Sequence, residues 1–292
     1  MPELPEVETV RRGLERLIVG RQVLEVQVYN EKSFQASRGD IKAFLIGARV
    51  IAARRRAKVL IIDLSSGYSL VAHLKMTGQL VFRGDEAWAA GHPTDSFVAE
   101  LPDRSTRVEF DFDDGAKLFF NDQRKFGWVK LLPTVEVENI DFLRKVGPEP
   151  LSGDPKLYKV FLSNIRRRNN TTIKAAILDQ TVVAGIGNIY ADESLWAAKV
   201  HPATRVRDLS DAKLKLILKS AIAVMTKSIE SGGSTMKNYI RADGTKGNYL
   251  EKFASVFRRE GQACPRCGTV IEKIRVAGRG THICPKCQSE AK

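Results

Sequence analysis

The sequence lacks any apolar run near the roughly 18 residues that a membrane-spanning helix needs, so no membrane span is expected. It also lacks the basic and then apolar opening of a secretory signal. The first ten residues, MPELPEVETV, carry acids there instead, and the expectation is a cytoplasmic chain without a signal or transit peptide. Cysteine is scarce: none occurs before Cys264, so no disulfide scaffold supports the first nine-tenths of the chain. Acidic residues are in deficit, 34 Asp and Glu against 47 Lys and Arg, which leaves a net charge of +13. A chain this basic points to a polyanionic partner, most often nucleic acid. With 292 residues, about two domains are expected.

All four cysteines fall in the last tenth of the chain, as Cys264-Pro-Arg-Cys267 and Cys284-Pro-Lys-Cys287, with sixteen residues between the pairs. Each Cys-x-x-Cys turn aims two sulfurs at one point, and a tetrahedral zinc ion takes four. Four thiolates leave no open coordination position, so one structural zinc is expected. Two disulfides are the competing reading, which a reducing cytosol disfavours. Between the pairs, residues 270–276 read as a strand, 277–280 as a turn and 281–283 as a return strand. Arg279 then stands at the tip of a zinc-anchored hairpin, either as a phosphate ligand on a stiff support or as a solvated turn arginine.

Ahead of that hairpin the chain divides in two. Residues 5–19 carry Val7, Val10, Leu14, Leu17 and Ile18 on one helical face. Short strand-like runs follow at 23–29, 48–54, 59–64, 70–73, 79–82, 108–112, 117–120 and 128–132, separated by turn signals such as Ser65-Ser66-Gly67 and Asp113-Asp114-Gly115. Many short strands at this spacing suggest a β-sandwich or barrel. Residues 83–106 lack a clear period and read as a loop. Residues 133–155, around Gly147-Pro148-Glu149-Pro150, read as a hinge. Helices are expected at 157–165, 172–179, 189–198 and 210–229, the last capped by Ser210. The expected organisation is an α+β multidomain chain. A β-sandwich domain opened by a helix covers 1–132, a linker 133–155, a helical domain 156–257 and a zinc finger 258–292.

Two further features carry chemistry. Residue 2 is proline, small enough for Met1 to be removed, which would expose a secondary amine on a rigid ring. An α-amine titrates at about 7.7–8.0, well below a lysine, so more of it is neutral and able to form a Schiff base. Glu3 and Glu6 beside it can act as acids, or they simply complement the helix dipole. The second feature is Gly185-Ile186-Gly187-Asn188, a flexible turn leading into a helix. It reads as an anion site on free backbone N–H groups or as a plain N-cap. Neither a preceding parallel strand nor a following Lys-Ser/Thr is present, so nucleotide-fold readings fail.

Taken in order, PELPEVE at the start, Arg56-Ala57-Lys58, His73-Leu74-Lys75-Met76-Thr77-Gly78, Asn121-Asp122-Gln123-Arg124-Lys125-Phe126-Gly127, Leu178-Asp179-Gln180, GIGNIYADE at 185–193, Gly233-Ser234-Thr235 and GRGTHICPKCQ at 278–288 give a specific pattern. The chain resembles the bacterial formamidopyrimidine-DNA glycosylase family along nearly its whole length. The resemblance implies an N-terminal β-sandwich, a helix–two-turn–helix domain and a zinc-finger hairpin, with DNA in the cleft between domains. It implies a bifunctional base-excision repair enzyme that removes oxidised purines and then cleaves the abasic strand. Pro2 would be the nucleophile at C1′, Glu3 the acid that protonates the opening sugar and Glu6 a supporting acid. Lys58, Asn188 and Arg279 would clamp the lesion phosphates, with Lys58 and Arg279 assisting elimination. Met76 and Phe126 would be wedges filling the hole left by the extruded base, with Arg124 reading the opposite cytosine. In isolation the same three residues read as core packing and a salt bridge. Further DNA contacts would fall at Arg104, Arg168, Asn170 and Lys174.

Some positions depart from the family pattern. Gln123 stands where proline is frequent, Ser105 where a DNA-binding histidine is usual, and Asn170 where a basic residue is usual. The segment after Thr235, in the lesion-capping region, also deviates. Two alternatives stay open: an oxidised-pyrimidine glycosylase like endonuclease VIII, and a DNA-binding relative without catalysis. The expected partner is double-stranded DNA containing an oxidised base, bound by a monomer.

Overall fold

The first helix forms because its apolar residues share one face and its start is capped. In a computed structural model, which describes residues 2–92, 94–232 and 254–289, helix α1 spans Leu4–Ile18. Val7, Val10, Leu14, Leu17 and Ile18 are all buried, each worth about 1.5–3 kcal/mol by transfer from water. Behind them lies a two-sheet sandwich. Strands β1 (Val23–Val28), β2 (Phe34–Gln35), β3 (Val50–Arg56), β4 (Val59–Leu64), β5 (Tyr68–His73), β6 (Gly78–Arg83), β7 (Ala87–Gly91), β8 (Thr106–Phe112), β9 (Lys117–Asp122) and β10 (Trp128–Pro133) make two five-stranded sheets. Their orders are β1-β8-β9-β6-β7 and β2-β10-β5-β4-β3. The pairings are antiparallel apart from β10 with β2. One apolar core joins α1 to both sheets.

Residues 83–106 are not the unstructured loop expected from sequence. They contain β7 and a 3₁₀ turn at Asp95–Phe97. Ala-Trp-Ala-Ala has little strand propensity of its own, and a tertiary contact specifies it. Trp88 lies over Gly13 of α1 so closely that a Cβ there would come within 2.1 Å of the indole. The sequence reading also missed β2, the short helix α2 (Arg38–Asp40) and the π-helical turn at Ile41–Leu45.

The expected hinge is likewise more structured. It carries a 3₁₀ helix at Thr134–Asn139 and helix α3 (Asp141–Lys145). Val137 and Leu143 from these pack with Val59, Ile61 and Val71 of the sandwich. The described residues divide into two units: residues 2–144 with 231–232, and residues 145–230 with 254–289.

In the second unit, α4 (Leu157–Arg166), α5 (Ile173–Leu178), α6 (Asn188–Ala197) and α7 (Asp211–Glu230) precede the hairpin β11 (Glu272–Val276) and β12 (Arg279–Ile283). Thr172 caps α5 through the Ala175 N–H, and Ser210 caps α7 through the Lys213 N–H. The segment after 253 is anchored by Glu193, whose carboxylate accepts N–H groups of Ser255, Val256 and Phe257 at 2.8–2.9 Å. Burial nonetheless pushes the Glu193 carboxyl above its ordinary range. Among the described residues, no helix is long and apolar enough to cross a membrane.

Candidate active site and nucleic-acid interface

At the start of α1, Pro2 is buried and Glu3 is 4% exposed. Glu3 is the N-cap. Its own N–H donates to the Glu6 carboxylate at 2.8 Å, within a capping box formed by the two residues. Glu6 therefore fixes the backbone from which Pro2 and Glu3 project. The question of Met1 removal lies outside the described residues.

Lys58, 4% exposed, sits in the two-residue turn between β3 and β4, which Arg56 and Val59 close as a pair. Ala57 holds the left-handed position of that turn, with φ of 53°. This conformation costs a residue with a Cβ about 1–2 kcal/mol. Across from the turn, Val59 pairs with His73. His73 is buried, and its Nδ1 accepts the Lys75 N–H at 3.0 Å. Burial first, then the charges of Lys75 and Lys58, press the His73 pKa down from 6.5 to about 3. The unfolded chain takes up a proton below pH 6.5 that the folded imidazole refuses. Stability should therefore fall by up to about 1.4 kcal/mol per pH unit from about pH 6.5 toward 4. His73→Asn, neutral throughout, should flatten that limb in urea melts at about pH 7 and pH 5. An unchanged limb would show that His73 does not set it.

Met76 and Phe126 are 39% and 52% exposed, so neither belongs to the core. Each follows a lysine in the left-handed region, Lys75 with φ 51° and Lys125 with φ 59°. Each turn is closed by a glycine. At Gly78 a Cβ would stand 2.4 Å from the Leu74 carbonyl oxygen. A single carboxylate ties the two turns together. Asp122, 0% exposed, accepts the Thr77 hydroxyl and the Arg124 N–H on Oδ1 and the Gly127 N–H on Oδ2. Arg124 stacks over the Phe126 ring at 4.7 Å. No acid of the described residues pairs with it, so the salt-bridge reading of Arg124 gains no support. Sequence reasoning gave Asp122 no role, because its side-chain partner Thr77 lies 45 positions away on another turn. Of the two arginines flanking Ser105, Arg104 is exposed. Arg107 is buried, with Nε donating to the Asp122 carbonyl at 2.8 Å.

In the second unit, Asn188 is the first residue of α6 and Arg279 the first of β12. Ala277 and Gly278, at φ 51° and 74°, make the two-residue turn that leaves Arg279 exposed. Asn188 Nδ2 donates to the Gly280 carbonyl at 3.0 Å, tying the helix start to the hairpin. The amide has a second hydrogen for another acceptor. The turn before it is stapled by Gln180, which donates to the Leu178 and Ile186 carbonyls and accepts the Gly185 N–H.

Lys174, expected to touch DNA, does not lie at the surface. It is 0% exposed, with Nζ 2.6 Å from Asp192 Oδ1 and 2.7 Å from Thr281 Oγ1. A buried ammonium requires such a full set of acceptors. Its function here is to hold the hairpin on α5 and α6. Arg168 is half-buried and turned to Asp179, with Nε 3.0 Å from Oδ2. Asn170 is exposed and accepts from Arg207.

The four cysteine sulfurs lie within 4.8 Å of one another. Cys267 Sγ is 3.4 Å from that of Cys284 and 3.5 Å from that of Cys287. A zinc ion with bonds of about 2.3 Å places tetrahedral sulfurs about 3.8 Å apart. The fit is good, and the four cysteines hold one structural zinc. Residues 233–239, where a lesion-capping segment is expected, lie outside the described residues.

A helix-opened sandwich, a helical unit and a four-cysteine hairpin define the class of zinc-bearing DNA glycosylases. Three family patterns match in order: the formamidopyrimidine-DNA glycosylase N-terminal domain over residues 1–129, its H2TH domain over 146–239 and the zinc finger found in FPG and IleRS over 261–289. Formamidopyrimidine-DNA glycosylase of Streptococcus thermophilus is 41% identical, covering 99% of each chain. That of Streptococcus mutans is 40% identical over 99% of this chain and 100% of its own. A solved Lactococcus lactis Fpg bound to DNA with an abasic site superposes with a TM-score of 0.85 at 35% identity, over 99% of this chain and 100% of that one. MutM bound to DNA with a carbocyclic 8-oxoguanine gives 0.84 at 35%, with the same coverage. The chain belongs to the formamidopyrimidine-DNA glycosylase family.

Proposed function

We propose that this protein excises oxidised purines from double-stranded DNA and then cleaves the abasic strand. It acts as a cytoplasmic monomer of base excision repair. Pro2 Nα in its neutral form attacks C1′ of the damaged nucleotide, and the base leaves with the bonding electron pair and a proton. Glu3 protonates the ring oxygen, which opens the sugar to an iminium on Pro2. The iminium acidifies C2′–H, so loss of that proton expels the 3′ phosphate. A further proton loss at C4′ expels the 5′ phosphate. Glu6 holds Glu3. Lys58, Asn188 and Arg279 bind the phosphates, with Lys58 and Arg279 donating protons during elimination. Met76 and Phe126 fill the gap left by the extruded base, and Arg124 reads the base opposite. Arg104, Arg168 and Asn170 remain available at or near the surface for backbone contacts. Domain limits of 1–132, 156–257 and 258–292 follow from the same reading.

The observation that carries this proposal is the family match over 99% of the chain, with Pro2 and Glu3 placed together at the capped start of α1. Borohydride trapping on a duplex with one 8-oxoguanine opposite cytosine tests it. The expected result is a covalent adduct that maps to Pro2. An adduct formed on thymine glycol but not on 8-oxoguanine would move the substrate to pyrimidines. DNA binding with no adduct on either would leave a non-catalytic relative.

A further inference from the structure

We propose that Glu8 and Arg55 are positioning residues that set the Lys58 turn at a fixed height against the N-terminal end of α1. This inference rests on the phosphate-binding role of Lys58 given above. The β3–β4 turn is an unfavourable one for alanine, since Ala57 occupies a left-handed position that glycine fills more readily. Something must hold it. Arg55, two residues earlier, folds its guanidinium over the turn. Nη1 donates to the Ala57 carbonyl at 2.8 Å, while Nε donates to Glu8 Oε2 at 3.1 Å. One planar side chain thus bridges the turn that carries Lys58 and the helix that carries Pro2 and Glu3.

Glu8 is a firm anchor. Its side chain is 13% exposed and that of Arg55 8%, so water competes little for the pair. Arg11 Nε and Arg12 Nε also donate to the Glu8 carboxylate, at 3.1 and 3.0 Å. Burial opposes ionisation, but the bonds from Arg11, Arg55 and Arg12 hold the Glu8 carboxyl below its ordinary range. Arg11 adds a second tie to the same strand through the Ala53 carbonyl at 3.3 Å. Between Glu3 and Glu8 runs regular helix, about 7.5 Å of axial rise over five residues. The helix is stiff over that distance, and so is a two-residue hairpin. Arg55 joins these two stiff parts at the turn itself, so its fork, with the Arg11 tie behind it, fixes the spacing of Lys58 from the amine end. Lysine cannot replace it, because an ammonium has no pair of donors fixed in one plane.

The test is a double-mutant cycle in single-turnover excision and strand cleavage, using the full-length zinc-loaded protein. Arg55→Met leaves Glu8 with Arg11 and Arg12, so no buried charge is stranded, and thermal melting checks the fold. Arg55→Met should slow the chemical step by about 10- to 100-fold, the size expected for a misplaced group, with KM for the duplex nearly unchanged. Arg55→Lys should be nearly as slow. In a Lys58→Met background, Arg55→Met should add almost nothing. Losses that multiply, or an Arg55→Met protein at full rate, would overturn the brace while leaving Lys58 in place. A Lys58→Met protein at full rate would instead remove the role of Lys58, and the brace would fall with it.

Discussion

A protein that keeps any residue ahead of Pro2 should form no borohydride-stable adduct and should lose base excision by more than about 10³-fold, the scale on which covalent catalysts lose rate without their nucleophile. Acylation turns the secondary amine into a tertiary amide with no lone pair to give, while folding and DNA binding persist. Pro2→Gly is a milder lesion. It keeps an amine but gives up the rigid ring, and a drop of about 10²-fold is expected from lost orientation. Mass spectrometry of the N-terminus must accompany both assays. An extended protein that traps and excises at the normal rate would eliminate the amine mechanism.

Removing zinc should have the other large effect. Structural zinc contributes about 10–16 kcal/mol of apparent binding free energy in small cysteine-based domains, more than the hairpin can replace. Cys264 and Cys284 are 3% and 0% exposed and pack with Val256 and Ile271. Chelation therefore opens an apolar cluster as well as a metal site. The disturbance reaches further, because Lys174 relies on Thr281 of β12 and would lose that acceptor while remaining buried beside Asp192. The expected result is loss of DNA affinity together with a shallower salt dependence, since the phosphate contact proposed for Arg279 would no longer release a counterion. Zinc content, melting and binding at two salt concentrations check this. A zinc-free protein that binds and cleaves as before would mean that the finger is dispensable.

The sandwich strands were legible because short strand-like runs are separated by strong turn signals, and the run at 59–64 matches β4 to the residue. β7 was not legible, since its reason for being a strand is the fit of Trp88 against Gly13, some 75 positions away in the sequence. Lys174 misled for a related reason. Within Thr-Ile-Lys-Ala-Ala-Ile a lysine reads as solvent-facing, and only the distant Asp192 and Thr281 make it a buried residue. The cysteines were legible because metal geometry demands a spacing that survives in sequence. Pro2, Glu3 and Arg279 each had a local reading beside an ordinary alternative, and the resemblance chose between them, whereas Lys58 stood out by resemblance alone. What no pattern could give was the set of residues behind the site: Glu8 and Arg55 beside the Lys58 turn, Asp122 behind the Met76 and Phe126 turns, and Gln180 behind the turn into Asn188.

Asp122 has a consequence for how intact DNA is inspected. Met76 and Phe126 stand on separate turns, yet both turns are latched to one carboxylate. On the proposed reading they are two teeth on one bar. On that reading the two side chains would press on a base step together rather than one at a time, so a step's stiffness, which varies with its sequence and damage, would be met by both at once.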